Sequence, residues 1–215
     1  MWGGCQTRKV GYREDFFFPQ SLRRRSCRQM TMLQRPSESF LAQRLELWTD
    51  EPLFYAHAGG LSRPPASGFI FDEHRCLLGK GPQVYAAACA ALDRWQMFPA
   101  WAQVARKELP QQVPGQMVAM VVRIVGLWWV NPCRVLRRCD SEASHGFVYG
   151  TLPDHAECGE EMFAVEKHPD ETVWYVIRAF SRPRHPLAWL GFPLARWWQL
   201  RFVRDSQQRM KGVVA

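Results

Sequence analysis

The densest polar run of the chain is Tyr149-Gly150-Thr151-Leu152-Pro153-Asp154-His155-Ala156-Glu157-Cys158-Gly159-Glu160-Glu161. If a strand starts near Cys158, then Cys158, Glu160 and Met162 face one way and Glu161 and Phe163 the other. One of the two glutamates then points into the protein and the other to water. A carboxyl group held in an apolar interior has its charged form desolvated, which raises its pKa and suits it to proton transfer. The competing reading pairs that glutamate with Arg134 or Arg178 across a sheet as a structural ion pair. His155 titrates near neutrality and is the candidate companion base, or else a turn histidine bonded to nearby backbone. Glu160, Glu161 and His155 are therefore the candidate catalytic residues. His155, Glu157 and Glu160 lack metal-ligand spacing, so no metal site is expected, and Cys158 reads as a buried thiol.

A second group is Trp128, Trp129, Asn131 and Arg134. Adjacent tryptophans on a strand point to opposite faces, so one lines the interior. A bulge at Asn131-Pro132 would turn Arg134 toward an anionic ligand group. Core packing with a surface salt bridge is the alternative. Tyr149, Phe163, Trp174, Phe180, Leu194 and Trp198 complete the candidate lining, with Arg178 as a further polar contact.

These residues sit in a chain of 215, with 47% apolar and 13% aromatic residues, enough for one domain with a buried core. Residues 1–29 hold seven basic residues against Glu14 and Asp15, so the positive charge is concentrated in an N-terminal extension. The remainder is near balance, which speaks against a nucleic-acid groove. Residues 1–31 read as a disordered basic arm and 32–215 as a single domain. The Arg-rich arm with Ser21 and Ser26 also has the composition of an organelle transit peptide, but Met30 and Met32, just before the first helical pattern, favour the simpler arm. Seven cysteines without a CxxC pair indicate free thiols in a reducing, cytoplasmic setting. The longest apolar stretch, Val118 to Val130, is far short of a bilayer span and indicates a soluble protein.

Ser37 caps a helix running to Leu47, and Gly81-Pro82 opens another whose Val84, Ala87, Ala88, Ala91, Leu92 and Trp95 form one face. A loop, Gly59 to Pro65, and an extended segment ending at Leu78-Gly79 lie between them. Strands are predicted at 101–107, 116–125, 128–138, 146–151, 160–166 and 172–180, with turns at Cys139-Asp140-Ser141, Pro153-Asp154 and Pro169-Asp170. A last helix spans about 186–210, with Leu187, Leu190, Leu194, Trp198 and Phe202 as its stripe and a kink at Gly191 and Pro193. Strand, helix, six strands and a long C-terminal helix is the order of an α+β helix-grip architecture. In it a curved antiparallel sheet wraps the helix and leaves a cavity; name and cavity rest on resemblance to the birch-allergen and START-like superfamily.

Longer motifs point to one family. Gly81-Pro82-Gln83-Val84-Tyr85, Ala90-Ala91-Leu92-Asp93-Arg94-Trp95, the run Gly126 to Val135, Gly146 to Leu152, His155, Gly159-Glu160-Glu161-Met162-Phe163 and Ala179-Phe180-Ser181-Arg182-Pro183 resemble Uncharacterised Protein Family 0548 of bacteria and plants. The likeness covers about Met32 to Arg209. It implies the helix-grip fold and brings no activity with it.

The function expected on these grounds is binding of a small, largely apolar ligand or lipid between sheet and C-terminal helix, without cofactor. Acid–base catalysis in the same cavity, of lyase, cyclase or hydrolase type, is the alternative, with Arg134 as anion stabiliser. An interaction module using Arg23-Arg24-Arg25 and Arg28 to touch an acidic partner or nucleic acid is the third. Membrane contact through Arg182, Arg184, His185, Trp189 and Trp197 is the weaker reading, because those aromatics serve more simply as helix core.

Overall fold

Alternating apolar residues commit most of the chain to strands, and in the computed structural model, which describes residues 6–9, 30–53, 55, 59–62, 68–183 and 192–215, they form one nine-stranded sheet. The strands are β1 (Gln6–Lys9), β2 (Met30–Met32), β3 (Ile70–Lys80), β4 (Ala102–Arg106), β5 (Met117–Ile124), β6 (Leu127–Arg138), β7 (Ser144–Thr151), β8 (Glu157–Lys167) and β9 (Thr172–Pro183). Their order is β1-β3-β9-β8-β7-β6-β5-β4, every pairing antiparallel. β2 pairs with Trp128–Val130, the part of β6 that β7 does not reach. The basic extension therefore contributes two short strands, where the composition suggested a disordered arm. Residues 1–5 and 10–29, including Arg23, Arg24, Arg25 and Arg28, lie outside the described residues.

Among the described residues three α-helices accompany the sheet: α1 (Glu38–Leu47), α2 (Pro82–Asp93) and α3 (Phe192–Val214). The Ser37 hydroxyl accepts from the Phe40 amide at 3.2 Å, satisfying one of the unpaired donors that open α1. Gly81, at φ +89°, turns the chain out of β3 and places Pro82 in the first turn of α2. Pro193 likewise lies near the start of α3 as described, where a missing N–H costs nothing, and Gly191 lies outside the described residues. Leu187 and Leu190 lie outside the described residues.

Both faces of the sheet are covered. On the inner face α2 and α3 pack on Val118, Val135, Phe147, Phe163, Val165, Tyr175 and Ile177. On the outer face α1 and Trp48 cover Met117, Ala119 and Val130. Tyr55 and Leu61 cover Val148, Met162, Val176 and Phe180 beside them. Each large apolar side chain closed off this way contributes about 1.5–3 kcal/mol. The result is a helix-grip architecture with a second, outer apolar layer. Cys76, Cys89, Cys133, Cys139 and Cys158 carry free thiols, and among the described residues no helix is long and apolar enough to cross a membrane.

Candidate functional site

The inner face changes character along its length. Phe147, Phe163, Tyr175 and Ile177 are fully buried, and Phe163 is packed among Phe98, Phe147, Tyr149 and Phe202 at centroid distances of 5.6–6.2 Å. Among the described residues that end is closely packed. One row further along, the register Tyr149–Glu161–Ala179–Asp72 runs across four adjacent strands. Of these Glu161, Ala179 and Asp72 keep accessible surface, as do Ile70, Glu157 and Ser181 beyond them. Ala179, with one methyl group, stands between the two acids, and this partly exposed polar end of the sheet–helix interface, called the recess below, is the candidate ligand site.

Cross-strand pairing brings Tyr149 and Glu161 side by side on one face. The Tyr149 hydroxyl donates to Glu161 Oε2 at 2.5 Å, and its oxygen lies 3.4 Å from Met120 Sδ. Burial raises the Glu161 carboxyl from 4.5 to about 7; the tyrosine bond opposes this, and the charges of Glu157 and Asp72 add to it. Burial and the Glu161 charge push the Tyr149 phenol up, so it stays a donor at neutral pH.

α3 closes the recess with the stripe Arg196, Gln199, Val203, Ser206 and Met210, spaced at three and four residues. Arg196 clamps Asp72 through both terminal nitrogens, Nη2 to Oδ1 at 2.6 Å, and donates to Gln199 Oε1 at 3.2 Å. Gln199 Nε2 donates in turn to Glu157 Oε1 at 2.6 Å. Burial raises the Glu157 carboxyl, while bonds from Ser181 and Gln199 and the Arg196 charge pull it back. Tyr175 and Ser206 share a hydroxyl bond of 2.8 Å behind this row. His74, 5% exposed, lies two residues from Asp72 on the same face, and burial lowers its pKa, keeping it neutral. Among the described residues no three His, Cys, Asp or Glu side chains are placed to hold a metal ion.

Strand parity sorts the candidates. Glu161 and Tyr149 meet in the recess. Asn131 also lies on the inner-facing parity, but its Oδ1 accepts from the Ala156 amide at 3.4 Å. Glu160 faces outward, yet not to water: it is 2% exposed, with Oε1 accepting from the Gly59 amide at 2.7 Å and the Tyr55 hydroxyl at 3.2 Å. It pairs with neither Arg134 nor Arg178. His155 is a buried turn residue whose Nδ1 accepts from the Glu157 amide at 2.9 Å.

Arg134 also lies on the outer face. The β5–β6 ladder runs unbroken through Asn131-Pro132, and the irregularity falls instead between Val135 and Arg137. Its Nη2 reaches the carbonyls of Trp48, Thr49 and Glu51 at 2.7–3.0 Å, closing the end of α1. The same parity puts Trp128 outside, beneath the guanidinium groups of Arg35 and Arg123, and Trp129 inside. Trp174 stacks on His168, Arg178 pairs with Glu73 and Glu166, and Phe180 packs on Tyr55 and Phe69, all on the outer face. Leu194 is 49% exposed, and Trp198 packs edge-on against Trp101 and Trp197 rather than lining the recess. Arg123 and Lys167 are exposed.

Asp72, His74, Arg196 and Gln199 escaped the sequence reading. Asp72 and His74 alternate along a strand that reads as evenly polar. Arg196 and Gln199 read only as helix surface, because the apolar stripe of Leu194, Trp198 and Phe202 marks the expected buried face.

Residues 55–209 match the family described as a domain of unknown function, DUF1990. A UPF0548 protein of Dictyostelium discoideum is 31% identical over 208 residues, covering 86% of this chain and 96% of that one. A UPF0548 protein of Arabidopsis thaliana is 33% identical over 148 residues, covering 66% and 71%. Among solved structures a hypothetical protein of Helicobacter pylori is similar in fold, with a TM-score of 0.52 at 10% identity over 73% of this chain and 94% of that one. The chain thus belongs to the UPF0548 family, built here on an antiparallel sheet that packs on the C-terminal helix α3.

Proposed function

We propose that the recess takes up a small organic molecule and that Glu161, positioned by Tyr149, moves a proton on it. The observation that carries this reading is a partly exposed carboxyl group bonded on one oxygen to a buried phenol, with burial pushing its pKa up to about 7. A group with a pKa near the working pH is present in both forms and serves equally as acid and base. When Glu161 is ionised, the Tyr149 hydroxyl donates to it. When it is protonated, the phenol can turn its hydrogen toward Met120 Sδ and accept from the carboxyl, so the pair accommodates either state without moving backbone.

Arg196 and Gln199 hold Asp72 and Glu157 in place around this pair. The filled aromatic end restricts the molecule to the polar half of the interface, which favours a small ligand over a lipid chain. The test is a carbon-13 NMR titration of the glutamate carboxyls in the whole protein. One resonance should titrate near 7 and vanish in Glu161→Gln. If every glutamate titrates below 6, the proton-transfer reading is wrong.

A further inference from the structure

The β5–β6 hairpin turns through Val125 and Gly126, at φ +49° and +79°. Both residues are left-handed, a geometry for a two-residue turn that asparagine and glycine adopt with ease and a β-branched valine does not. Val125 holds the position all the same, and at 74% exposure it gains no burial in return for the strain. Leu33 follows directly on Met32, whose pairing with Trp128 brings it to the same tip, and it is 83% exposed. These are the two most exposed large apolar side chains among the described residues.

The surroundings of the tip are basic. The guanidinium carbons of Arg35 and Arg123 lie 5.9 and 6.0 Å from the ring centre of Trp128. Among the described residues neither has an ionic partner, and Arg35 donates to the neutral Gln103 side chain at 2.7 Å. Residues 117–135 hold no Asp or Glu, and the first acid after Leu33 is Glu38, in the first turn of α1. Asp205, which reaches Trp101 at the start of β4, is already shared by Arg201 and Arg204. The residues outside the description do not reverse the sign: 10–29 hold five arginines against Glu14 and Asp15, and 184–191 hold Arg184 and no acid.

Two apolar side chains on a turn expose far less than the roughly 800 Å² that a stable protein partner covers. A bilayer surface needs no partner of matching shape. Apolar tips enter the boundary between headgroups and acyl chains, tryptophan settles at headgroup depth, and each arginine beside anionic lipid strengthens binding about fivefold. We infer that this tip docks on a membrane surface bearing anionic lipid, with Leu33 and Val125 inserted, Trp128 at headgroup depth, and Arg35 and Arg123 on lipid phosphates. Insertion gives the Val125 side chain the burial it lacks in water. The inference goes beyond the proton-transfer reading of the recess and does not depend on it.

The test is sedimentation of the full-length protein with vesicles of phosphatidylcholine alone and of phosphatidylcholine with about 30% phosphatidylserine. Binding to the anionic vesicles should be at least about tenfold stronger than to the neutral ones. Val125→Asn relaxes the turn, so Leu33→Ser with Val125→Asn should weaken binding about tenfold while melting no lower than wild type, which separates lost docking from lost folding. Arg35→Gln with Arg123→Gln should weaken it about tenfold or more. Residues 10–29 are intact in all of these proteins, so vesicle binding that survives both pairs of substitutions belongs to the basic extension and overturns the assignment. Absence of sedimentation with the anionic vesicles overturns it as well. So does a dimer in analytical ultracentrifugation that Leu33→Ser with Val125→Asn dissolves, because the tip then faces a second copy of the chain.

Discussion

Glu161→Gln should make the protein more stable at pH 8 and leave it unchanged at pH 4. In the unfolded chain the Glu161 carboxyl loses its proton near 4.5, whereas in the folded protein burial delays this to about 7. Between those values the folded state holds the extra proton, so stability contributed by the protonated group is intact below 4.5 and is lost as the pH rises through 7. A displacement from 4.5 to 7 corresponds to roughly 3 kcal/mol at pH 8. Glutamine keeps an acceptor for the Tyr149 hydroxyl and cannot ionise, so it recovers most of that, about 2–3 kcal/mol. For a chain of this length each kcal/mol moves the melting temperature by about 2–4 °C. Burial also raises Glu160, which is present in wild type and variant and cancels in the difference, whereas Glu157, whose charge acts on Glu161, is relieved by the substitution and adds to the gain at high pH. Urea denaturation of both proteins at half-unit steps from pH 4 to 8.5 measures it. Curves that run parallel across that range, or a variant less stable than wild type at pH 8, would refute the reasoning.

Tyr149→Phe removes the bond that favours ionised Glu161 and should raise its titration midpoint above 7, by about one pH unit, in the carboxyl NMR experiment. Arg134→Ala should cost about 2 kcal/mol by freeing the carbonyls at the end of α1, with the Glu161 titration unmoved; a changed titration would return Arg134 to the site. Glu160→Ala strips the acceptor from Tyr55 and the Gly59 amide, so limited proteolysis should cut near residues 53–62 faster, with stability lower by about 1–3 kcal/mol. Val125, exposed in the β5–β6 turn at φ +49°, is a branched residue in a left-handed conformation, and Val125→Asn should gain about 1 kcal/mol in thermal unfolding.

Local chemistry made the elements legible in the amino-acid sequence. Ser37 before an amphipathic run, Pro82 after Gly81 and the turns at Pro153-Asp154 and Pro169-Asp170 act within a few residues of themselves, and the helices and strands follow them closely. The family motifs and the helix-grip order were visible for the same reason. The alternation of Glu160 and Glu161 was visible too, since a strand has period two wherever it lies.

Which of the two faces is inside is a property of the whole sheet. Here the outer face is as apolar as the inner one, because α1, Trp48, Tyr55 and Leu61 cover it. A row such as Trp174, Arg178 and Phe180 therefore carries no mark of its side. One unbroken ladder through Asn131-Pro132 sent Arg134 outward, where a bulge would have sent it in. The cation of the recess comes from Arg196 on the last helix, 124 residues from its partner Asp72. Nothing local ties those two residues together; the sheet wrapping α3 does. Sequence fixes periodicity because periodicity is local, and only tertiary structure decides which groups share a desolvated space, because desolvation is the work of residues far apart in the chain.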